Sequence, residues 1–104
     1  MVHPATKVTI IAERLLEDAI IELINESGAT GYTTVPGRGK GQHGLHGGHK
    51  RRLVDAFQIV KIEFVMKDRD AAIEVAEKVS DELFANQSGI VYISTVEILR
   101  PSRF

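Results

Sequence analysis

The chain alternates strand-like apolar runs with helix-like amphipathic runs, and this pattern occurs twice along its 104 residues. In the first half, residues 7–12 are mostly β-branched or apolar, which predicts a strand. From Glu13 onward apolar residues recur at spacings of three and four, which predicts an amphipathic helix that ends near Gly28. Residues 31–35 predict a short second strand that stops before Pro36, because proline cannot donate to a sheet ladder.

The second half repeats this order after a glycine-rich gap. Residues 57–66 predict a long strand, Asp70 is suited to cap a second helix, and residues 90–99 predict the last strand. Both faces of the strand at 57–66 carry large apolar side chains, so we expect a partner subunit to cover the face that the helices leave open. The predicted buried stripe of the second helix consists of Ile73, Ala76, Val79, Leu83 and Phe84.

The order βαβ, gap, βαβ predicts an α+β fold, namely a ferredoxin-like βαββαβ sandwich with two helices on one face of a four-stranded antiparallel sheet. A chain of 104 residues is expected to form a single domain over residues 1–104. The lack of cysteine, of a long apolar run and of a readable secretion signal predicts a cytoplasmic protein. A net charge of −1 gives no electrostatic basis for binding nucleic acid. No nucleophile is paired with a base in a recognisable motif, so we do not expect an enzyme.

Residues 36–55 form a predicted long flexible loop between the second and third strands, and they lack any apolar period. A loop of this length inside a compact domain is usually functional or disordered. At its start, glycines alternate with cations, an arrangement that could close around a phosphate or remain a solvated linker. These residues are Gly37, Arg38, Gly39, Lys40 and Gly41.

Three histidines follow in the same loop at intervals of three residues, His43, His46 and His49. Three imidazoles are the smallest set that holds zinc, nickel or copper, so these residues are weak candidates for a metal site. The flanking glycines argue against a preformed site, and solvated histidines fit such a loop equally well.

Several short motifs, taken together and in this order, resemble the PII signal-transduction family over nearly the whole chain. The motifs are residues 28–33 (Gly-Ala-Thr-Gly-Tyr-Thr), the glycine-rich loop, residues 60–63 (Val-Lys-Ile-Glu) and Gly89 before the last strand. Within that superfamily the chain resembles the PII-like carbon-uptake regulators, the SbtB and carboxysome-associated PII proteins. It shares with them the Gly-Tyr-Thr strand, the Gly-Lys-Gly loop base and a Gly-Ile-Val-Tyr-Ile last strand.

This resemblance implies a signal-transduction protein that forms a homotrimer and holds an adenine nucleotide in each cleft between subunits. Gly89 would form the turn near the phosphates, and Arg103, together with Arg100, would be a cation from the tail. One subunit would hold the adenine edge, and its neighbour would supply the loop base. The implied residues are Gly31, Tyr32, Thr33, Glu63, Phe64 and Val65 from the first and Gly37, Arg38, Gly39, Lys40 and Gly41 from the second.

The ligands that the resemblance implies are AMP, ADP or cyclic AMP, with bicarbonate as a candidate second ligand and no bound cofactor. Ile90 stands where nitrogen-sensing members have a lysine, so we expect weak binding of a triphosphate. The implied mechanism is ordering of the loop by nucleotide, read by a partner, with a membrane bicarbonate transporter in inorganic carbon uptake as the candidate target. The alternative is a metal-binding trimer of the CutA-like type that uses the three loop histidines.

Overall fold

The computed structural model of the protein describes residues 1–39 and 57–100, which form a four-stranded sheet with two helices on one face. In chain order the elements are β1 (His3–Glu13), a 3₁₀ turn (Arg14–Leu16), α1 (Glu17–Glu26), β2 (Thr33–Gly39), β3 (Phe57–Met66), α2 (Arg69–Leu83) and β4 (Gly89–Ile98). The strands lie in the order β2-β3-β1-β4, and all neighbours are antiparallel. This arrangement confirms the predicted ferredoxin-like βαββαβ sandwich.

The core lies between the sheet and the two helices. Val8 and Ile10 of β1 and Ile62 of β3 are fully buried in it, as are Ile20 and Ile24 of α1. The spacing of four between the two isoleucines of α1 places both on one face of the helix. The spacing that predicted this helix is therefore confirmed, but α1 begins at Glu17 after a 3₁₀ turn and not at Glu13, which still belongs to β1. β3 has the bounds that its apolar run predicted.

The first helix ends where the sequence predicted, and the glycine there has the conformation that such an end requires. Ser27 is the C-cap of α1, and Gly28 follows it with φ of 90°. Only glycine adopts this left-handed region without steric cost. In the described parts of the chain, 1–39 and 57–100, neither helix combines the length and the apolar character needed to span a membrane.

The second strand differs from the predicted one at both ends, because β2 begins at Thr33 instead of residue 31 and runs through Pro36 to Gly39 instead of stopping before the proline. Pro36 lies opposite Val60 of β3. β2 is an edge strand, and on such a strand proline is tolerated where the missing N–H would face away from the sheet. Residues 36–39 of the predicted loop are therefore strand, and residues 40–55 lie outside the described residues.

The buried stripe of α2 differs in part from the predicted one. Leu83, Phe84 and Ile73 are all half-buried, but only Leu83 and Phe84 pack against the core. Ile73 instead lines a groove beside β4. The prediction was wrong for Ile73 because its large side chain lies at the border of the apolar face, where the smaller Ala72 is fully buried. The four buried residues of this helix are Ala72, Val75, Ala76 and Val79.

The N-cap of α2 is Asp68 and not the predicted Asp70. The Asp68 carboxylate accepts hydrogen bonds from the backbone N–H of Asp70 at 2.9 Å and of Ala71 at 3.4 Å. Asp68 has the extended backbone that a cap residue needs, with φ of −87° and ψ of 113°, whereas Asp70 already lies in the first helical turn.

Replacing Asp68 with alanine should lower the free energy of unfolding by about 1 kcal/mol, because two N–H groups at the start of α2 lose their acceptor. Asp70→Ala is the matched control, and we expect a loss of only about 0.3 kcal/mol from its weaker interaction with the helix dipole. Urea denaturation of both variants measures the difference. Equal losses would contradict the assignment of the cap.

The face of the sheet opposite the helices, here called the open face, is uncovered in the single chain. Val35 of β2 is 52% exposed on it, and Ile90 and Tyr92 of β4 are 55% and 43% exposed. Ile59 and Val65 of β3 are half-buried on the same face. β3 therefore carries apolar side chains on its second face, as predicted. That a partner subunit covers this face stays a prediction.

Candidate functional site

The residues predicted to hold the adenine edge lie together where β2 pairs with β3. Thr33 stands directly opposite Glu63 in the strand register, and both belong to the open face. Val65 follows two residues after Glu63 and therefore shares this face. Gly31 and Tyr32 precede β2, and Tyr32 is 41% exposed. These five residues form the first group of the candidate site.

Phe64 was also implied at this site, but its side chain points the other way. It is 2% exposed and packs in the core between the sheet and the helices. Alternation along a strand sends neighbouring side chains to opposite faces. A ligand on the open face could therefore meet only the backbone of Phe64.

Two lysines flank the Glu63 carboxylate on the open face. Lys7 Nζ lies 3.7 Å and Lys61 Nζ 3.4 Å from Oε2 of Glu63. The Glu63 side chain is 32% exposed, so the carboxylate is reachable from solvent. Both distances are to Oε2, and a carboxylate has a second oxygen with lone pairs, Oε1, that can accept a hydrogen bond from a ligand.

The residues predicted to meet the phosphates form a second group at the loop end of the sheet. Gly37, Arg38 and Gly39 end β2, and Gly89 begins β4. A row of paired residues leads across the sheet from Pro36 at one edge to Gly89 at the other. This row spans three strand spacings, or about 14 Å. A single copy of the chain therefore holds the parts of the second group at opposite edges.

The two glycines at the end of β2 lie beside the Ile59 side chain of β3, and only Gly39 is close to it. A Cβ at Gly39 would lie 3.2 Å from Cδ1 of Ile59, and one at Gly37 would lie 3.8 Å from Cγ1 of the same side chain. Neither glycine has a positive φ. Ile59 lies over this end of β2, so a side chain at Gly39 would require the end of the Ile59 side chain to shift by a few tenths of an ångström, whereas a Cβ at Gly37 would be in ordinary contact.

Arg100 lies beyond the end of β4, away from Gly89, and it is exposed. Its φ of 57° is in the left-handed region, which is uncommon for a residue with a side chain. The remaining predicted positions lie outside the described residues, namely Lys40, Gly41, Arg103 and the histidines His43, His46 and His49.

A groove of about 600 Å³ between α2 and β4 was not predicted. Ile73 of α2 and Val91 of β4 line it, and Phe84 and Gly89 lie where the helix and the strand meet. In the sequence, Ile73 could have indicated this groove, because it is a large apolar residue at the border of the apolar stripe of α2. Over residues 1–39 and 57–100, no three side chains of the metal-ligating types cluster closely enough to hold an ion.

A βαββαβ sandwich with the strand order β2-β3-β1-β4 is the architecture of a ferredoxin-like domain, and that fold alone serves many activities. A comparison with protein families identifies one family within this fold, because the model for nitrogen regulatory protein P-II matches residues 5–103. The chain therefore belongs to the P-II family of regulatory proteins, and the resemblance of its motifs to PII is confirmed.

Solved structures of PII-like proteins share the whole fold. A candidate PII-like signaling protein from Thermus thermophilus is 29% identical, with a TM-score of 0.77 and coverage of 99% of this chain and 97% of that one. CPII from Thiomonas intermedia, bound to ADP and bicarbonate, is 26% identical, with a TM-score of 0.79 and coverage of 100% and 97%. The same protein bound to ADP, AMP and bicarbonate gives 24% identity, a TM-score of 0.77 and coverage of 97% and 99%.

Proposed function

We propose that this protein is a homotrimeric regulator that senses AMP or ADP, with bicarbonate as a second ligand. The observation that carries this proposal is the presence of ADP and bicarbonate in CPII, which is 26% identical over the whole chain. The pair of Thr33 and Glu63 supports it, because a hydroxyl beside a carboxylate can exchange hydrogen bonds with the polar edge of an adenosine. Cyclic AMP, which also consists of adenosine and phosphate, is the third candidate nucleotide.

Each nucleotide would lie between two copies of the chain. Thr33 and Glu63 belong to the β2 side of the sheet, whereas Gly89 lies at the β4 edge. A ligand that touches the first group of one copy and the second group of its neighbour therefore fits the geometry better than one bound to a single copy. The exposed Val35, Ile90 and Tyr92 of the open face supply apolar area for contact between copies.

The phosphates would meet Arg38, which is exposed on β2 at the same end of the sheet as Gly89, because charge-assisted hydrogen bonds from guanidinium groups are among the strongest contacts available to phosphate. Arg100 lies beyond the opposite end of β4, so it would reach the phosphates only of a nucleotide bound at a neighbouring copy. Lys40 and Arg103 are further candidates outside the described residues. Ile90 follows Gly89 without a charge, which favours a mono- or diphosphate over a triphosphate.

The signal would be read at residues 36–55 by a partner, for which we propose a membrane bicarbonate transporter in inorganic carbon uptake. Bicarbonate binding by CPII supports this direction. Contacts of the nucleotide with Gly37 and Arg38 would shift the population of conformations that the partner binds. Residues 36–39 are the described part of this segment.

ADP or AMP at a hundred times its dissociation constant should raise the free energy of unfolding by about 2.7 kcal/mol, because a ligand stabilises the state that binds it. Thermal denaturation with AMP, ADP, ATP and cyclic AMP, with and without bicarbonate, measures this shift. We expect ATP to give the smallest shift of the four at equal concentration. A chain that none of the four nucleotides stabilises would contradict the proposal.

Glu63→Gln locates the binding site with little change in shape. It should weaken ADP binding by about tenfold, because the ligand loses a charged acceptor on the open face. Glu97→Gln, an exposed position on β4 outside both groups, is the matched control and should bind as the wild type does. Equal affinities for the wild type and Glu63→Gln would remove Glu63 from the site.

A further inference from the structure

The Phe84 ring lies directly against the backbone of Gly89. If Gly89 carried a Cβ, that atom would lie 2.5 Å from Cε1 and 2.6 Å from Cε2 of the ring, with Cζ nearer still. Carbon atoms in favourable contact stay about 3.5 to 4.0 Å apart. The ring therefore occupies the space that any side chain at position 89 would need.

The backbone of Gly89 does not itself require glycine. Gly89 is the first residue of β4 and pairs with Ala12 of β1 in the ordinary antiparallel register. Of the described glycines, only Gly28 has a positive φ. An extended strand position of this kind accepts any residue with a side chain. Glycine at this position is therefore explained by the Phe84 ring and not by the backbone conformation.

Phe84 and Gly89 are also the two ends of the turn that joins α2 to β4. Phe84 closes α2, where its N–H donates to the carbonyl oxygen of Ser80 at 3.3 Å. Residues 85–87 of the turn are exposed, so packing restrains them little. The contact between the Phe84 ring and the Gly89 backbone holds the ends of this turn together.

We infer that Phe84 is a positioning residue of the nucleotide site and that it acts by fixing the turn between α2 and β4 beside Gly89. This inference rests on the proposed function. A turn with fixed ends has fewer conformations, so less entropy is lost when its backbone N–H groups bind a phosphate. Gly89 then contributes to binding because its lack of a side chain leaves room for the Phe84 ring. Once the ring is absent, a small side chain at position 89 should have little further effect on binding.

A double-mutant cycle measured by calorimetry with ADP tests this inference. Gly89→Ala should weaken binding by about tenfold, because the new methyl group displaces the ring, and Phe84→Ala should weaken it by a similar factor. In the double variant Phe84→Ala/Gly89→Ala, the second substitution should add less than about twofold. If Gly89→Ala weakens binding equally with and without the ring, the methyl group itself obstructs the ligand, the ring plays no part, and the inference is overturned.

Leu83→Ala is the matched control for loss of packing. Leu83 precedes Phe84 and is also partly buried against the core, but the three atoms nearest to the Gly89 Cβ position all belong to Phe84. Leu83→Ala should lower the melting temperature without weakening ADP binding. An equal loss of ADP affinity in Leu83→Ala and Phe84→Ala would overturn the inference. If Phe84→Ala does not fold, Phe84→Leu takes its place in the cycle, because leucine keeps apolar volume and lacks the flat ring.

Hydrogen exchange in the free protein separates this inference from the proposed function. Phe84→Ala should raise by about fivefold or more the exchange rates of the amides that flank the turn, namely the amide of position 84, which donates to the carbonyl oxygen of Ser80, and those at the start of β4. Leu83→Ala should leave these rates near the wild-type values. This readout needs no ligand, so it reports on the ring even if the wild type binds no adenine nucleotide and the proposed function fails. Unchanged exchange in Phe84→Ala would overturn the inference.

Discussion

Replacing Ile10 with alanine should lower the free energy of unfolding by about 3 kcal/mol, which is a large part of the stability of a domain of this size. Ile10 is fully buried in β1 and is paired with Ile62 of β3 on one side and with Val91 of β4 on the other. Alanine removes apolar contacts and leaves a cavity where the sheet meets the helices. Urea denaturation followed by circular dichroism measures the loss.

The matched control for Ile10→Ala is Leu15→Ala, which removes a large aliphatic side chain from the 3₁₀ turn. Leu15 is 71% exposed, so its replacement should change the free energy of unfolding by less than about 0.5 kcal/mol. The two variants therefore separate a core position from a surface position of similar chemistry. A midpoint for Ile10→Ala equal to that of the wild type would contradict the central place of β1 in the core.

The elements that the sequence predicted correctly are those that bury one face. β3 has the predicted bounds because a run of apolar residues is visible in the sequence itself, and Ile20 and Ile24 of α1 follow from their spacing. The same alternation along β3 places Phe64 on the helix side, opposite to Glu63. The sequence thus already contained the reason why the Phe64 side chain cannot face a ligand on the open face.

The features that could not be predicted depend on partners distant in the chain or on local geometry. Pro36 ends a central strand but is tolerated on an edge strand, and the place of β2 at an edge follows only from the sheet order. Asp68 and Asp70 are chemically identical caps, and the backbone angles of Asp68 decide between them. The contact between Phe84 and Gly89 crosses a turn, where no periodic pattern reports it.

The positions of the candidate site followed from the resemblance to PII more than from residue patterns. That resemblance grouped Thr33 with Glu63, and the register of β2 on β3 places them opposite each other. It also assigned Gly89 to a phosphate turn, but the contact with the Phe84 ring gives this glycine a packing role that the motif does not describe. Short motifs identify which residues form a site, whereas the packing that fixes the positions of those residues depends on side chains outside the motifs.

Loss of the proposed contact between copies through the open face should have the largest effect on function. Tyr92 is 43% exposed in the single chain and stands on this face, opposite Thr9 in the register. If copies meet here, a carboxylate at position 92 would be buried without a partner, and an unpaired buried charge costs several kcal/mol. The proposed nucleotide clefts need two copies each, so loss of the assembly should also remove the binding of nucleotide.

We therefore expect Tyr92→Glu to convert a particle of three chains into single chains at micromolar concentration and to abolish the stabilisation by ADP. Sedimentation velocity measures the first effect and thermal denaturation the second. Asn25→Glu, an exposed position on α1, adds the same charge on the helix side of the molecule and should leave both unchanged. Tyr92→Glu chains that still sediment as the wild type does, and still respond to ADP, would show that the contact between copies lies elsewhere.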